Sequence, residues 1–292
     1  LHFQSMAMNK NFQSKIFYIF FTTIFLNSCA VKNDLMLGSE IVEFALPLSF
    51  ESQKRKIQKN PNNQLFYLNA AKSRVQFAYG ILIEKADRLM FEDYYKSREY
   101  YNESLELFMI SKNYLLIALE LRHNDFIDKM KNKKQIDFDE KDIDYLYWLS
   151  GSMAGTIQAS QGDPRYLVDL SNIKWLIENA YSINPDWENG SLHAAMMSVY
   201  LNDLSGNKNS EKLALEFFDK AEKAAQGLNA SIYVTLAENY AVSKQDKKFF
   251  LELLEQAISI DLNKNKKLKQ SNRLAQSRAK WLITRVDELF YM

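Results

Sequence analysis

Two stretches of the sequence decide its fold, Ala180-Tyr-Ser-Ile-Asn-Pro185-Asp and Ala257-Ile-Ser-Ile-Asp-Leu262-Asn, and they align residue for residue without a gap. A third stretch, Ala118-Leu-Glu-Leu-Arg-His123-Asn, fits the same frame. The small residue in first place lets two helices approach closely, and a proline beyond the last apolar position stops a helix. The three stretches therefore predict helix ends that pack against neighbouring helices.

The same frame extends into complete helix pairs. Two sets of residues have the spacing of a first and a second helix of such a pair: Tyr233, Leu236, Ala237 and Tyr240 for the first, and Ala214, Phe218 and Ala221 for the second. This pattern is typical of tetratricopeptide repeats. The gaps between the frame alanines at 118, 180, 221 and 257 are irregular, and the unit between 118 and 180 is enlarged. The sequence therefore predicts a degenerate tetratricopeptide-like array.

Composition supports an all-α fold. The 292 residues include only 8 glycines and 4 prolines, which are the residues that sheets, barrels and sandwiches need in their turns. Apolar residues recur at helical spacing nearly throughout the chain beyond Leu37. We therefore expect one α-helical domain over residues 39–292, with about ten to twelve helices in antiparallel pairs. The expected longer helices span 64–90, 92–121, 142–160, 173–183, 190–201, 211–226, 231–242, 247–260 and 271–290.

Charge and motif content exclude several function classes. With 37 basic and 36 acidic residues, the net charge of +1 lacks the electrostatic signature of a nucleic-acid-binding protein. One cysteine and three histidines argue against a disulfide framework or a metal centre. The sequence contains no GxSxG, HExxH, Walker or dinucleotide-binding motif. We therefore predict that the protein is not an enzyme and uses no cofactor or metal.

The sequence contains one cluster of basic residues near its C-terminal end. It contains Lys264, Lys266, Lys267, Lys269 and Arg273. A run of this kind is usually a solvated connection, and the alternative is a contact with an anionic membrane or an acidic partner.

The first part of the chain has the features of a bacterial lipoprotein. Residues 1–5 (LHFQS) resemble the remnant of a cleaved tag, and residues 6–28 resemble a lipoprotein signal peptide. Its apolar run from Ile16 to Leu26 reaches only about 16 Å as a helix, too short to span a bilayer. Cys29 follows a Leu-x-Ser tripeptide, as in a lipobox, which predicts lipid attachment at Cys29 and a tether over 29–38. An incidental cysteine behind an ordinary secretion signal is the alternative.

The chain as a whole resembles a known family. The stretches that carry the resemblance run in order, Leu119-Glu-Leu-Arg-His-Asn-Asp-Phe126, Asp144-Tyr-Leu-Tyr-Trp-Leu-Ser-Gly151, Asn184-Pro-Asp-Trp-Glu-Asn-Gly-Ser-Leu-His193 and Arg278-Ala-Lys-Trp-Leu-Ile-Thr-Arg-Val-Asp-Glu-Leu-Phe290. They are similar to the TatT-component family of TRAP-transporter-associated lipoproteins, which are built from cryptic tetratricopeptide repeats.

This resemblance implies a location and a partner. It implies a periplasmic lipoprotein that docks the substrate-binding protein of a TRAP transporter, a system that imports small organic acids or other ligands, and it also implies a homotrimer. Ala30, which follows the predicted lipidated cysteine where an Asp is the alternative, resembles the signal that sorts lipoproteins to the outer membrane. The alternative function is a generic outer-membrane scaffold, whose repeats bind other proteins without any small ligand.

Five residues are candidates for a ligand groove, namely Tyr147, Trp148, Trp187, Arg122 and His193. The enlarged unit of the array would leave helix faces uncovered there, and large amphipathic rings are suited to line such a gap. Arg122 would supply the cation that an organic acid requires. Alternatively the rings are core, Arg122 interacts with the carbonyls of a helix end, and His193 is a packed side chain. An apolar ligand is a further alternative to an organic acid.

Overall fold

A computed structural model describes residues 39–204 and 206–290. Every regular element in these ranges is helical, which confirms the predicted all-α class. The elements are α1 (Ser39–Lys59), α2 (Gln64–Phe77), the π-helical π1 (Ala78–Ile83), α3 (Glu84–Leu89), α4 (Tyr94–Arg122), α5 (Phe126–Lys131), α6 (Ile143–Ala159), α7 (Pro164–Leu167), α8 (Leu170–Ile183), α9 (Trp187–Leu201), α10 (Ser210–Ala224), α11 (Ala230–Leu236), the π-helical π2 (Ala237–Ala241), α12 (Val242–Lys244), α13 (Lys247–Ser259), α14 (Lys269–Thr284) and α15 (Val286–Leu289).

The number of helices agrees with the prediction. The segments α2, π1 and α3 form one continuous helix, as do α11, π2 and α12. When each of these is counted once and the four-residue turns α7 and α15 are set aside, eleven helices remain in the described ranges.

Short polar residues start several of these helices. Asn63, Asp93, Asp163, Asn229 and Asp246 each accept a hydrogen bond from a backbone N–H of the first turn that follows. Such a side chain satisfies a donor that the helix itself cannot pair, typically stabilising it by about 1 kcal/mol. The connections are short, so each longer helix packs against the next one in the chain.

The core is built around α6. This helix packs against α2, α4 and α8, and nearly all its residues are buried, which is the behaviour expected of a helix that is apolar on every side. A Cβ on Gly155 would lie 2.4 Å from the Phe108 ring, so the close contact between α6 and α4 requires a glycine there. The frame alanines Ala118, Ala180, Ala221 and Ala257 are buried, as their pattern predicts.

Four features differ from the sequence prediction. The short helix α5 was not predicted, and neither was α1, which contains Pro47, a residue that disfavours a helix interior. The helix α1 is held in place by Arg74, which donates to the Phe50 carbonyl and to the Gln53 side chain. The π-helical segments were not predicted either, and the helix expected over 271–290 breaks at Arg285.

The N-terminal assignments cannot be compared with the structure. Cys29, the signal peptide and the tether lie outside the described residues. Within the described ranges, no helix is both long enough and apolar enough to cross a membrane.

Candidate functional site

The predicted aromatic residues lie where α6 contacts the start of α9. Tyr147 and Trp148 of α6 are almost completely buried, and Trp187 at the start of α9 is partly buried. The Tyr147 ring centroid lies 4.9 Å from that of Trp187 and 6.0 Å from that of Trp148. Because the rings meet at tilted and edge-on angles, they form a packed cluster with favourable ring geometry.

A left-handed turn positions Trp187. Glu188, Asn189 and Gly190 have φ angles of 48°, 57° and 84°, so three consecutive residues lie in the left-handed region. This region costs a non-glycine residue about 1–2 kcal/mol, and strained backbone of this kind is concentrated at functional sites. At Gly190 a Cβ would also lie 2.6 Å from the Cβ of Ala224, so glycine is required for both conformation and space.

His193 lies one turn beyond this segment. Its Nε2 is 3.0 Å from Oδ1 of Asp186, and its ring contacts the Tyr181 ring edge-on at 5.3 Å. Nδ1 is buried and has no hydrogen-bond partner among the described residues. If Nε2 carries the proton that Asp186 accepts, Nδ1 is a bare acceptor inside the protein.

Arg122 belongs to a separate ion-pair cluster at the start of α6. Its Nε lies 2.6 Å from Oδ1 of Asp142, and Nε2 of His123 lies 3.0 Å from the same oxygen. Burial acts to raise the pKa of Asp142, but hydrogen bonds from the Asp139 backbone, His123 and Arg122 hold that pKa below its ordinary value. The Arg122 guanidinium also lies 4.9 Å from the Tyr145 ring centroid. The charge of Arg122 is therefore paired with Asp142, and its guanidinium group lies against the Tyr145 ring.

The structure thus places the five candidates in two groups. Tyr147, Trp148 and Trp187 are in ring contact, and the left-handed turn connects Trp187 to His193. Arg122 lies with Asp142 at the beginning of α6, about 7 Å before Tyr147 along the helix axis. The cation beside the aromatic rings is Lys72, 5.5 Å from the Trp148 ring centroid, and it is paired with Asp144 at 2.7 Å.

A second buried cluster was not found from the sequence. Arg278 of α14 bonds to both carboxylate oxygens of Glu238 in π2, at 2.7 and 2.9 Å. It also lies 2.6 Å from Glu84, the first residue after π1, and 2.9 Å from Asp87. The Tyr101 hydroxyl donates to Asp87. Three carboxylates therefore share one guanidinium inside the protein, at two π-helical segments of a kind often found at functional sites.

Protonation follows from this crowding. Burial, which outweighs the attraction of Arg278, raises the pKa of Glu238 to about 7, and the neighbouring carboxylates Asp87 and Glu84 act in the same direction. Burial likewise raises the pKa of Asp87. The only sequence signal for this cluster was the stretch beginning at Arg278, since Glu84 and Glu238 look like ordinary charges on helices.

Metal binding receives no support from the described residues. They contain no group of three or more His, Cys, Asp or Glu side chains placed to hold an ion.

The fold and these clusters define an all-α protein of sequentially packed helices, with ion-pair clusters around Arg122 and Arg278. The chain belongs to the family described as TAtT, TRAP transporter T-component, which it matches over residues 37–290. An uncharacterized protein of Treponema pallidum (strain Nichols) is 19% identical over 258 residues, covering 86% of this chain and 80% of the relative. The family is an accessory component of a transporter and not an enzyme family, so the protein is associated with a TRAP transporter system in the cell envelope.

Proposed function

We propose that this protein is a lipid-anchored periplasmic scaffold that docks the substrate-binding protein of a TRAP-type uptake system. The observation that carries the proposal is the family match, which extends over the whole described domain. Sequentially packed helices support it, because such arrays offer extended surfaces for binding another protein.

Co-purification tests the docking partner. The protein is extracted with detergent from cells that express it together with the TRAP genes, captured, and the bound proteins are identified. We expect a TRAP substrate-binding protein at stoichiometric amounts. Failure to recover one, with and without candidate organic acids, would contradict the docking role. Light scattering of the same preparation tests the proposed homotrimer.

Lipid anchoring rests on the lipobox that ends at Cys29. Because covalent acyl chains hold a protein at a bilayer by about 0.8 kcal/mol per buried methylene, Cys29→Ala should move the protein from the membrane fraction to the soluble periplasm. If the variant sediments with outer membranes as completely as the parent after a high-salt wash, lipidation at Cys29 is not the anchor.

The cluster of Tyr147, Trp148, Trp187 and His193 is the proposed ligand site. Paired cations around it favour an apolar ligand over an organic acid, since Arg122 and Lys72 already bind carboxylates. Native mass spectrometry of gently purified protein should then show the additional mass of a bound ligand. Trp187→Phe should reduce the ligand-bound fraction, and Trp175→Phe, at a ring outside the cluster, should leave it unchanged.

The second candidate function is a scaffold without a ligand. It is favoured by the nearly complete burial of Tyr147 and Trp148, which is also how core residues behave. Under this alternative no mass is retained, and both tryptophan variants differ from the parent only in thermal stability.

A further inference from the structure

The alternating direction of the helices sorts their connections onto two edges. Arg74 of α2 contacts Phe50 and Gln53 of α1, so these helices are antiparallel and α1 starts at the end where α3 finishes. We call this end the anchor edge. It contains the start of α1 and the connections 90–93, 202–209, 245–246 and 285–290. The connection 160–169 lies beside the middle of α4 instead, where Tyr166 contacts Met109 and Asp169 pairs with Lys112. The opposite edge contains the connections 60–63, 123–142, 184–186, 225–229 and 260–268.

Side-chain contacts join neighbouring connections of the anchor edge. The Arg285 guanidinium lies 5.0 Å from the Phe91 ring centroid, which links the connection before α4 to the end of α14. Further contacts along this edge are Lys247 to Asp287 at 3.3 Å, the Gln245 side-chain amide to the Leu289 carbonyl at 3.1 Å, and the ion pair of Lys244 with Glu211 at the start of α10. The connections therefore hold fixed positions relative to their neighbours.

Large apolar side chains are exposed on this edge. Tyr95 is 83% exposed, Phe91 75% and Leu204 67%. They come from two different connections or the helix turns beside them, so they are not one local irregularity of the chain. At the opposite edge, the most exposed apolar side chain is Leu65 at 53%. Leaving several large apolar groups in water at one end of a protein is unusual for a surface that faces only solvent.

The length of chain before α1 limits where a bilayer can be. Residues 30–38 separate Cys29 from Ser39, and nine residues span at most about 32 Å when fully extended. Because α1 starts on the anchor edge, this edge is the part of the described domain that follows Cys29 most closely along the chain, and we infer that the membrane lies beside it. The basic cluster at Lys264, Lys266 and Lys267 lies in the 260–268 connection on the opposite edge.

We propose that the anchor edge is a membrane-contacting surface, in which Phe91, Tyr95 and Leu204 enter the headgroup region of the bilayer that holds Cys29. The proposal rests on the lipid anchoring included in the proposed function. Aromatic rings with a polar tip and aliphatic side chains both gain free energy at this boundary. Charged residues beside them form mixed pairs, such as Lys244 with Glu211 and Lys247 with Asp287, so contact does not require anionic lipid.

Flotation with vesicles tests this surface separately from lipidation and from docking. The mature chain, residues 29–292, with Cys29→Ala has neither an acyl anchor nor the apolar run from Ile16 to Leu26. It is mixed with vesicles of phosphatidylcholine and phosphatidylethanolamine, with and without phosphatidylglycerol. We expect weak, salt-insensitive binding to both compositions. Phe91→Ser, Tyr95→Ser and Leu204→Ser together should lower the partition coefficient by about tenfold or more.

The matched control replaces exposed apolar residues of the opposite edge, with Leu65→Ser and Ile117→Ser, and should float like the parent. Circular dichroism melts confirm that both variants are folded. Equal flotation of the two variants, or a requirement for phosphatidylglycerol that salt removes, overturns the proposal. A change in oligomeric state that occurs without vesicles, and only in the anchor-edge variant, also overturns the proposal, because it would assign the surface to a protein partner. Loss of the substrate-binding protein in co-purification leaves this result unaffected.

Discussion

The cluster around Arg278 contains more negative than positive side chains. Glu238, Asp87 and Glu84 lie around Arg278, and Arg88 reaches Glu84 from the periphery at 3.1 Å. Charges removed from water are costly unless they are fully paired, and here carboxylates outnumber guanidinium groups. With its pKa raised to about 7, Glu238 is about half protonated near neutral pH, which partly relieves the excess negative charge.

Stability should therefore depend on pH through Glu238. Because its pKa is raised from an ordinary 4.5 to about 7 on folding, the folded state binds the proton more tightly than the unfolded chain. The stabilisation is complete below the ordinary pKa and is lost as pH rises through 7. We expect the free energy of unfolding to fall by about 1–3 kcal/mol between about pH 5 and pH 8.

Urea denaturation across that range measures the effect, and Glu238→Gln should flatten the dependence because it mimics the protonated carboxyl group. An equally steep dependence in the variant would assign the titration to another group.

Leu236 tests the repeat frame at the scale of one side chain. It is completely buried at a position predicted for the first helix of a pair. Leu236→Ala should lower the free energy of unfolding by about 2–5 kcal/mol, through lost transfer energy and the cavity left behind. Leu204→Ala, at a 67% exposed leucine, should change it by less than about 0.5 kcal/mol. Similar values for the two variants in chemical denaturation would show that the frame is misplaced.

Among the elements, α9 is distinctive because it begins with a left-handed turn. The helix interior after Gly190 is right-handed, and the turn before it orients Trp187 toward Tyr147 and Asp186 toward His193. Contact of Gly190 with Ala224 ties the turn to the end of α10. The turn is thus held by packing between two helices, since its own backbone conformation is unfavourable.

A pair of glycine variants separates backbone strain from packing at this turn. Gly190 and Gly162 share a φ of 84°, but a Cβ at Gly162 meets nothing within 4 Å. Gly162→Ala should cost about 1–2 kcal/mol from conformation alone. Gly190→Ala should cost about 1–3 kcal/mol more, because α9 and α10 must separate. Thermal melts of both variants measure the difference, and equal losses would mean that the contact with Ala224 relaxes freely.

At the scale of the whole molecule, Arg278 joins regions that are far apart in sequence. It connects α14 near the end of the chain to Glu84 at the start of α3, across 194 positions. Arg88 reinforces the connection through Trp281, whose ring centroid lies 5.4 Å away. The first and last helix pairs are thus held together by charge and by cation–π contacts.

Arg278→Leu should therefore destabilise both ends of the chain. Removing the guanidinium leaves the buried Asp87 and Glu238 without a cation, while Glu84 keeps its ion pair with Arg88. Breaking a buried ion pair from one side costs about 3–5 kcal/mol. Hydrogen exchange followed by mass spectrometry should show faster exchange in α3 as well as in α14. Lys280→Leu, at an exposed position two residues along α14, is the control and should leave both unchanged. Faster exchange confined to α14 would show that α3 is held by other contacts.

Much of the fold could be predicted from local pattern. Helical periodicity, scarce glycine and proline, and the buried small residues Ala118, Ala180 and Ala257 depend on neighbours three or four positions away, so they are readable in one dimension. The aromatic candidates Tyr147 and Trp187 were found in the same way, because they flank predicted helix ends. Whether they bind a ligand is not a property of spacing, since core rings have the same periodicity.

Other features were decided only by tertiary structure. The left-handed turn at Glu188 and Asn189 contradicts local preference and exists because α10 packs against it. Arg122 looked free to bind an acid until the fold brought Asp142 to it. The cluster around Arg278 combines residues from four separate helical regions, whose meeting depends on how the helices stack. The sequence by itself determined which segments are helices, because that free energy is local. Packing determined which charges are buried together, because that energy depends on contacts between residues far apart in the chain.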